Sequence, residues 1–166
     1  MTIVAHSRPY VIGVDCHART HTYAITDAGT GQQLDCEQFP TTKAGMQRAL
    51  TWAARRTGGD ASVVWVIEGI ATYGAQLARI VTDAGYDIVE APRMSARSRR
   101  GIGKSDPLDA RAIAAAVLSC DEAQLRHPRR DDGVRAALRT LVAARDQGAH
   151  GADDERERAH RSLARE

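Results

Sequence analysis

Two aspartates three residues apart, Asp106 and Asp109, stand at the predicted start of a helix in the stretch GKSDPLDARAIA (residues 103–114). Asp106 is a favourable N-cap, Pro107 then occupies the first helical position, and Asp109 suits the positive end of the helix dipole. The spacing also places both acids on one face of the first turn. From this segment alone, helix capping and ion binding both remain open.

Two further acids close predicted strands. Asp15 ends the apolar run YVIGVD (residues 10–15), and Glu68 ends SVVWVIE (residues 62–68). Each acid alone is typical of a turn at the end of a strand. If the two strands are parallel neighbours, however, their carboxyl ends lie about 5 Å apart, and ligand sites of such sheets lie beyond those ends.

A helix packed across the same edge would bring all four carboxylates together. Two unit charges 4 Å apart repel by about 4 kcal/mol at an effective dielectric near 20, so that the cluster needs protons or a cation. Oxygen ligands without cysteine or spaced histidine favour Mg²⁺ or Mn²⁺. Two such ions about 4 Å apart can clamp the attacking and leaving oxygens of a phosphodiester.

The elements that must position these acids follow the order β-β-β-α-β-α-β-α. We predict strands at residues 10–15, 21–27, 33–39, 62–68 and 86–90, and helices at about 43–56, 71–84, 107–119 and 133–144. The strand at 62–68 is the most hydrophobic and is expected to be central. The order predicts an α/β fold, a mixed five-stranded sheet flanked by helices, and it is shared by the ribonuclease H-like fold.

Composition excludes several classes of protein. The 166 residues include three cysteines without CxxC spacing, which argues against a disulfide framework or structural zinc and for a reducing compartment. The first residues lack a signal-peptide pattern, and no apolar run approaches the roughly 18 residues of a membrane span. The sequence therefore predicts a cytoplasmic protein.

Positive charge is concentrated in the middle of the chain, where residues 93–145 contain 12 basic and 6 acidic side chains. We predict that a run of arginines in a loop contacts a nucleic-acid backbone: Arg93, Arg97, Arg99 and Arg100. Lys104 and Arg111 flank the acids and are candidates to hold a scissile phosphate. An ordinary solvated surface explains these last two equally well.

Histidines and aromatic residues near the acids have simpler interpretations. His17 and His21 follow Asp15 closely, and a turn or strand-surface role is favoured over a role in activating water. Cys16 is expected to point away from the side of Asp15 and into the core. Trp52 and Trp65 are interpreted as packing residues.

Three blocks of the sequence resemble the DEDD insertion-sequence transposases, the Piv/MooV-type DNA recombinases with a RuvC-like N-terminal domain. The blocks are GVDCHARTH (residues 13–21), VIEGIATYG (residues 66–74) and GKSDPLDARAIA (residues 103–114). The third is highly specific and the second is the weakest. The resemblance covers about residues 10–145.

This resemblance implies that Asp15, Glu68, Asp106 and Asp109 form a catalytic tetrad that binds divalent metal. It further implies recombination of DNA during transposition, in some members directed by a structured guide RNA, and a homo-oligomer, either a dimer or a tetramer.

A kinase-like ATPase also begins with a strand ending in aspartate, but CHARTH offers no glycine- and serine-rich phosphate turn.

The chain is predicted to divide into four segments. We predict an N-terminal arm at 1–9, a RuvC-like DEDD catalytic domain at 10–120, a helical extension at 121–147 and a disordered tail at 148–166. Members of the family continue into a second domain with an attacking serine, and this sequence does not contain it. We therefore expect a truncated or frameshifted copy or a fragment, and the alternative function is a catalytically incomplete module that binds DNA or guide RNA and oligomerises.

Overall fold

Five strands form one mixed sheet in the computed structural model of the chain, which describes residues 2–92 and 105–128. The strands are β1 (Tyr10–Cys16), β2 (Thr20–Asp27), β3 (Gln33–Pro40), β4 (Val64–Ile67) and β5 (Asp87–Glu90). The helices are α1 (Val4–Ser7), α2 (Lys43–Thr57), α3 (Ala75–Asp83) and α4 (Asp106–Leu118), with a short 3-10 helix at Glu122–Gln124. Apart from α1 and the 3-10 helix, which the sequence does not predict, the described elements follow the predicted order.

The strand order across the sheet is β3-β2-β1-β4-β5. Strand β2 runs antiparallel to both of its neighbours, whereas β4 is parallel to β1 and to β5. The first three strands can therefore follow one another through short turns, and the later parallel strands need helical crossovers. This is the ribonuclease H-like arrangement, so the predicted fold class is confirmed, although β1 rather than β4 is the middle strand.

The two faces of the sheet support two apolar cores. On the face that α2 and α3 cover, Trp65 and Tyr23 are fully buried and their rings meet edge to face at 6.2 Å. On the other face, valines of β1 and β4 pack with Ile113 and Val117 of α4. Because side chains alternate along a strand, Asp15 shares the α4 face while Cys16 packs against the opposite core, as predicted.

Gly13 lets α4 lie directly on β1. A Cβ atom at this position would lie 2.2 Å from the carbonyl oxygen of Ala110 and 2.6 Å from the backbone nitrogen of Ala114. Contacts this short are impossible for a real side chain, so only glycine permits this approach of helix to strand. The glycine two residues before Asp15 therefore fixes how close the start of α4 comes to that aspartate.

Several predicted details were wrong. Helix α3 begins at Ala75 rather than near residue 71, because residues 69–74 form hydrogen-bonded turns after Gly69, which has a φ of +63°. His21 is not on the surface: it is completely buried on β2, on the face that the tyrosine and tryptophan core occupies. The period-two pattern of β2 places it beside Tyr23 rather than beside Asp15.

Some predictions lie outside the described residues. These are the arginine run (Arg93, Arg97, Arg99 and Arg100), Lys104, the helix at 133–144 and the tail at 148–166.

In the part of the chain that the structure describes, no helix combines the length and the apolar character that crossing a membrane requires.

A partly buried network of ion pairs connects the segment before β1 to β5 and to the 3-10 helix. Arg8 donates through Nε and Nη2 to the two carboxylate oxygens of Glu122, at 2.7 and 2.9 Å, and through Nη2 to Asp87 at 2.9 Å. Ser7 adds a hydrogen bond to Glu122. The hydrogen bonds from Arg8 are the main reason that the pKa of Glu122 is lowered to about 2.

We expect Glu122→Gln to lower the free energy of unfolding by about 1–2 kcal/mol at pH 7, because it removes a charge-assisted, bidentate pair. The folded-state pKa is below the ordinary 4.5, so the contribution is complete above pH 4.5 and is lost as the pH falls towards 2. Urea unfolding of both proteins at pH 7 and pH 3 measures this. Glu37→Gln, at an exposed position on β3, is the control; an undiminished difference at pH 3 would contradict the assignment.

Candidate metal centre

Asp15 and Glu68 come together because their strands are parallel neighbours in register. Val14 pairs with Ile67, and the backbone nitrogen of Glu68 donates to the carbonyl oxygen of Val14 at 3.0 Å. The residues that follow, Asp15 and Glu68, are therefore side by side at the carboxyl edge of the sheet. This is the placement that the sequence predicts.

The start of α4 brings Asp106 and Asp109 to the same edge, with one correction. The N-cap is Ser105, whose extended backbone precedes the helix, and its carbonyl oxygen accepts from the backbone nitrogens of Leu108 and Asp109. Asp106 is thus the first helical residue and not the cap. Its carboxylate is consequently directed to other partners, and Gln38 Nε2 donates to Asp106 Oδ2 at 3.4 Å.

His17 lies between two of the acids. Its Nε2 is 3.7 Å from Asp15 Oδ2, and its Nδ1 is 3.8 Å from Asp106 Oδ2. One potential ligand atom from each of these three residues lies within 4.8 Å of the others. The sequence interpretation of His17 as a turn residue therefore missed its place in the cluster. The signal available was its position two residues after the aspartate that ends a central strand.

The ionised form of the Asp15 carboxylate is disfavoured by its surroundings. Its side chain is 7% exposed, and Oδ2 has no hydrogen-bond partner within the described residues. Burial, followed by the negative charges of Glu68, Asp109 and Asp106, raises the pKa of Asp15 to about 6, and proximity to His17 acts in the opposite direction. The other three predicted acids are therefore close enough to Asp15 for their charges to act on it.

These residues fit a divalent cation. The buried oxygen accepts no hydrogen bond from the described residues, and the charges of Glu68, Asp109 and Asp106 act on the same carboxylate. A positive ion would stabilise such a position. The donors are mainly hard oxygens, which suit Mg²⁺ and Mn²⁺, and the imidazole of His17 adds one nitrogen. The arrangement matches a metal centre better than a helix cap, because the cap is Ser105.

Two polar residues that the sequence analysis did not identify support the cluster from β2 and β3. Thr22 is paired with Asp15 across β1 and β2, and Gln38 is paired with Thr22 across β2 and β3. Gln38 Nε2 donates to Thr22 Oγ1 at 3.2 Å as well as to Asp106. Gln38 thereby ties the start of α4 to the sheet. The alignment of Asp15, Thr22 and Gln38 across the three strands is visible only from the strand register. Nearly 70 residues separate Gln38 from Asp106 along the chain.

Of the residues predicted to contact nucleic acid, Arg111 alone falls in the described part of the chain. It is exposed on α4, two residues after Asp109. The register of an α-helix turns residues at this spacing away from each other, so Arg111 and Asp109 face different directions. A phosphate contact by Arg111 stays a prediction.

Acids at the ends of β1 and β4 and at the start of α4 supply the oxygen ligands that a metal-dependent nuclease or recombinase requires. The chain belongs to the DEDD transposases of the IS110 type: the family model described as Transposase matches residues 12–165. This match includes the positions of all four predicted acids and confirms the resemblance drawn from the three sequence blocks.

Comparison with solved structures gives weaker similarities. The fowlpox virus Holliday junction resolvase is 18% identical, with a TM-score of 0.36 over 54% of this chain and 67% of that one. The fowlpox virus resolvase in complex with Holliday junction DNA is 15% identical, with a TM-score of 0.40 over 65% of this chain and 93% of that one. Comparison with curated proteins found no match.

Proposed function

We propose that this chain is the N-terminal catalytic domain of a transposase, which cuts and exchanges DNA strands with divalent cations held by Asp15, Glu68, Asp106 and Asp109. The observation that supports this most is the buried carboxylate of Asp15, whose Oδ2 lacks a hydrogen bond from any described residue. A buried carboxylate oxygen that accepts no hydrogen bond, with only the ring of His17 at 3.7 Å, is a position that a cationic ligand would stabilise. Membership of a transposase family supplies the reaction class.

Each proposed ligand has a distinct support. Asp15 is held rigidly inside β1, and Glu68 is fixed beside it by the hydrogen bond from its own backbone nitrogen. The two helix acids belong to a first turn whose approach to the sheet is set by Gly13. Gln38 restrains the orientation of the Asp106 carboxylate, as second-layer hydrogen bonds commonly do for metal ligands.

When bound, Mg²⁺ or Mn²⁺ would stabilise the charge on the attacking and leaving oxygens of a phosphodiester. The protein itself contributes the geometry. Ligands come from two strands and a helix rather than from one loop, so their separation is fixed by the sheet and by α4 before any substrate binds. His17 is exposed and lies 3.7 Å from Asp15, and we propose that it contacts the scissile phosphate or the attacking water.

The partners that we propose are DNA, a structured guide RNA and further copies of the chain. Family membership supports DNA, since transposition acts on it. Arg93, Arg97, Arg99, Arg100, Lys104 and Arg111 are the proposed phosphate contacts, because arginine-rich segments neutralise a polynucleotide backbone. The guide RNA and a dimer or tetramer follow from the family resemblance.

Metal-dependent nicking of branched or supercoiled DNA tests the proposed function. We expect the full chain to nick such DNA with Mg²⁺ or Mn²⁺ and not with EDTA, and Asp106→Ala to abolish nicking while Asp83→Ala, at the exposed end of α3, leaves it unchanged. Equal binding of DNA or RNA with and without Mg²⁺, together with no cleavage, would contradict catalysis. That result would support the catalytically incomplete binding module instead.

A further inference from the structure

The connection between β1 and β2 holds the backbone of His17 in a defined position. Its N–H donates to the carbonyl oxygen of Thr20 at 3.1 Å, which closes the turn. Thr41, directly after β3, adds two bonds: its backbone N–H donates to the carbonyl oxygen of Arg19 and its Oγ1 donates to that of Ala18, both at 3.0 Å. The segment that carries His17 is therefore restrained from both β2 and β3.

The ring of His17 lies too far from the acids for hydrogen bonds, but at a distance that suits two ligands of one ion. Nε2 is 3.7 Å from Asp15 Oδ2 and Nδ1 is 3.8 Å from Asp106 Oδ2, whereas hydrogen bonds from nitrogen to oxygen extend to about 3.2 Å. With metal–ligand bonds of about 2.1 Å, two ligands are about 3.0 Å apart at a right angle and about 4.2 Å apart when opposite. Both observed spacings fall inside this range.

A single ion can lie among these three residues. One potential ligand atom from each lies within 4.8 Å of the other two. His17 is exposed and Asp106 is partly exposed, so small rotations of their side chains can bring both onto an ion. Asp15 is almost fully buried, and the oxygen that Nε2 approaches accepts no hydrogen bond from the described residues. That buried oxygen is a sign of a ligand that does not depend on the position of the ring.

We propose that one ring nitrogen of His17 binds a divalent cation together with Asp15 and Asp106, and that this nitrogen gives the site a preference for Mn²⁺ over Mg²⁺. The inference rests on the proposed function and deepens it. Mg²⁺ takes oxygen ligands, whereas imidazole nitrogen suits transition-metal ions. The other ring nitrogen stays available to the scissile phosphate or its attacking water.

Calorimetric titration of the full chain with Mn²⁺ or Mg²⁺, in the absence of DNA, measures this preference. We expect His17→Ala to weaken Mn²⁺ binding by about 10-fold and Mg²⁺ binding by less than about 3-fold. His17→Asp places an oxygen ligand at the same position, so it should bind both ions with a reduced preference for Mn²⁺. His6→Ala, at an exposed position of α1, is the matched control and should leave both affinities unchanged.

Pulsed electron paramagnetic resonance of bound Mn²⁺ detects a coordinated nitrogen without any reaction. We expect nitrogen coupling in the original chain and in His6→Ala, and none in His17→Ala or His17→Asp. Labelling the histidines with ¹⁵N should convert the coupling to that of ¹⁵N, which identifies an imidazole as its source. His21 is excluded as that source, because it is buried on the opposite face of the sheet beside Tyr23.

Two outcomes would overturn the inference and leave the acidic metal centre as proposed. Mn²⁺ bound to the original chain without nitrogen coupling would show that oxygen ligands alone hold it. An unchanged Mn²⁺ affinity in His17→Ala, or an equal loss of Mn²⁺ and Mg²⁺ affinity, would show that His17 does not select the ion. By contrast, absence of Mn²⁺ binding by the original chain would contradict the proposed function itself.

Discussion

Asp15→Asn is expected to reduce metal-dependent DNA cleavage by at least about 100-fold while making the metal-free protein more stable. Asparagine keeps the shape of the side chain but removes the negative charge at the centre of the cluster, so that cations lose their most buried ligand. The stability gain has a separate cause. The carboxylate of Asp15 is buried, lacks a hydrogen bond to Oδ2 from the described residues, and is destabilised by the negative charges of three nearby acids.

The sign of the pH dependence follows from the raised pKa. Asp15 shifts from 3.8 to about 6 in the folded state, so folding opposes its ionisation. In metal-free buffer the original protein should therefore lose stability between about pH 4 and pH 6 and remain less stable above that window. The magnitude is about 3 kcal/mol, because each pH unit by which the pKa rises corresponds to about 1.4 kcal/mol. The Asp15→Asn protein should not show this loss of stability between about pH 4 and pH 6.

Adding Mg²⁺ or Mn²⁺ should reverse the order of stability. A ligand that binds only the folded state stabilises it by about 2.7 kcal/mol at 100 times its dissociation constant, and only the original protein retains the full site. Thermal unfolding with EDTA and with Mn²⁺ at pH 8 measures both effects, and Asp83→Asn is the matched control. If Asp15→Asn were destabilising in EDTA, or were stabilised by Mn²⁺ as strongly as the original, the proposed centre would be wrong.

Gly13→Val is expected to displace α4 and so to dismantle the cluster without altering any of its ligands. The nearest atom to a new Cβ would be the carbonyl oxygen of Ala110 at 2.2 Å, and this is helix backbone that cannot rotate away. We expect a loss of about 3 kcal/mol in the free energy of unfolding, as for other overpacked cores. Cleavage and Mn²⁺ affinity should both fall, because Asp106 and Asp109 move away from Asp15.

Gly29→Ala is the control for Gly13→Val, since a Cβ at Gly29 would meet its nearest atom at 3.6 Å, an ordinary contact. Chemical denaturation gives the stability, and electron paramagnetic resonance of Mn²⁺ gives the metal affinity. Gly13→Ala is a milder variant that should lie between the two. A Gly13→Val protein with unchanged Mn²⁺ affinity would show that α4 does not deliver ligands to Asp15.

The sequence by itself determined the elements and the principal acids. Alternating and apolar runs locate the five strands, because burial of one or both sheet faces imposes those periods on the chain. Asp15 and Glu68 could be identified because each follows an apolar strand, and Asp106 and Asp109 because their spacing marks a helix start. The family blocks around them made the grouping specific.

Only the tertiary structure decided which other groups join those acids. His17 lies near both Asp15 and Asp106, and Gln38 donates to Asp106. The two contacts with Asp106 join segments that are far apart in the chain. Such contacts depend on strand register and on the depth at which α4 lies over β1, and neither quantity has a local signature in the sequence. Gly13 shows the reason: its missing side chain matters only because a helix 97 residues later in the chain, at Ala110, occupies the space.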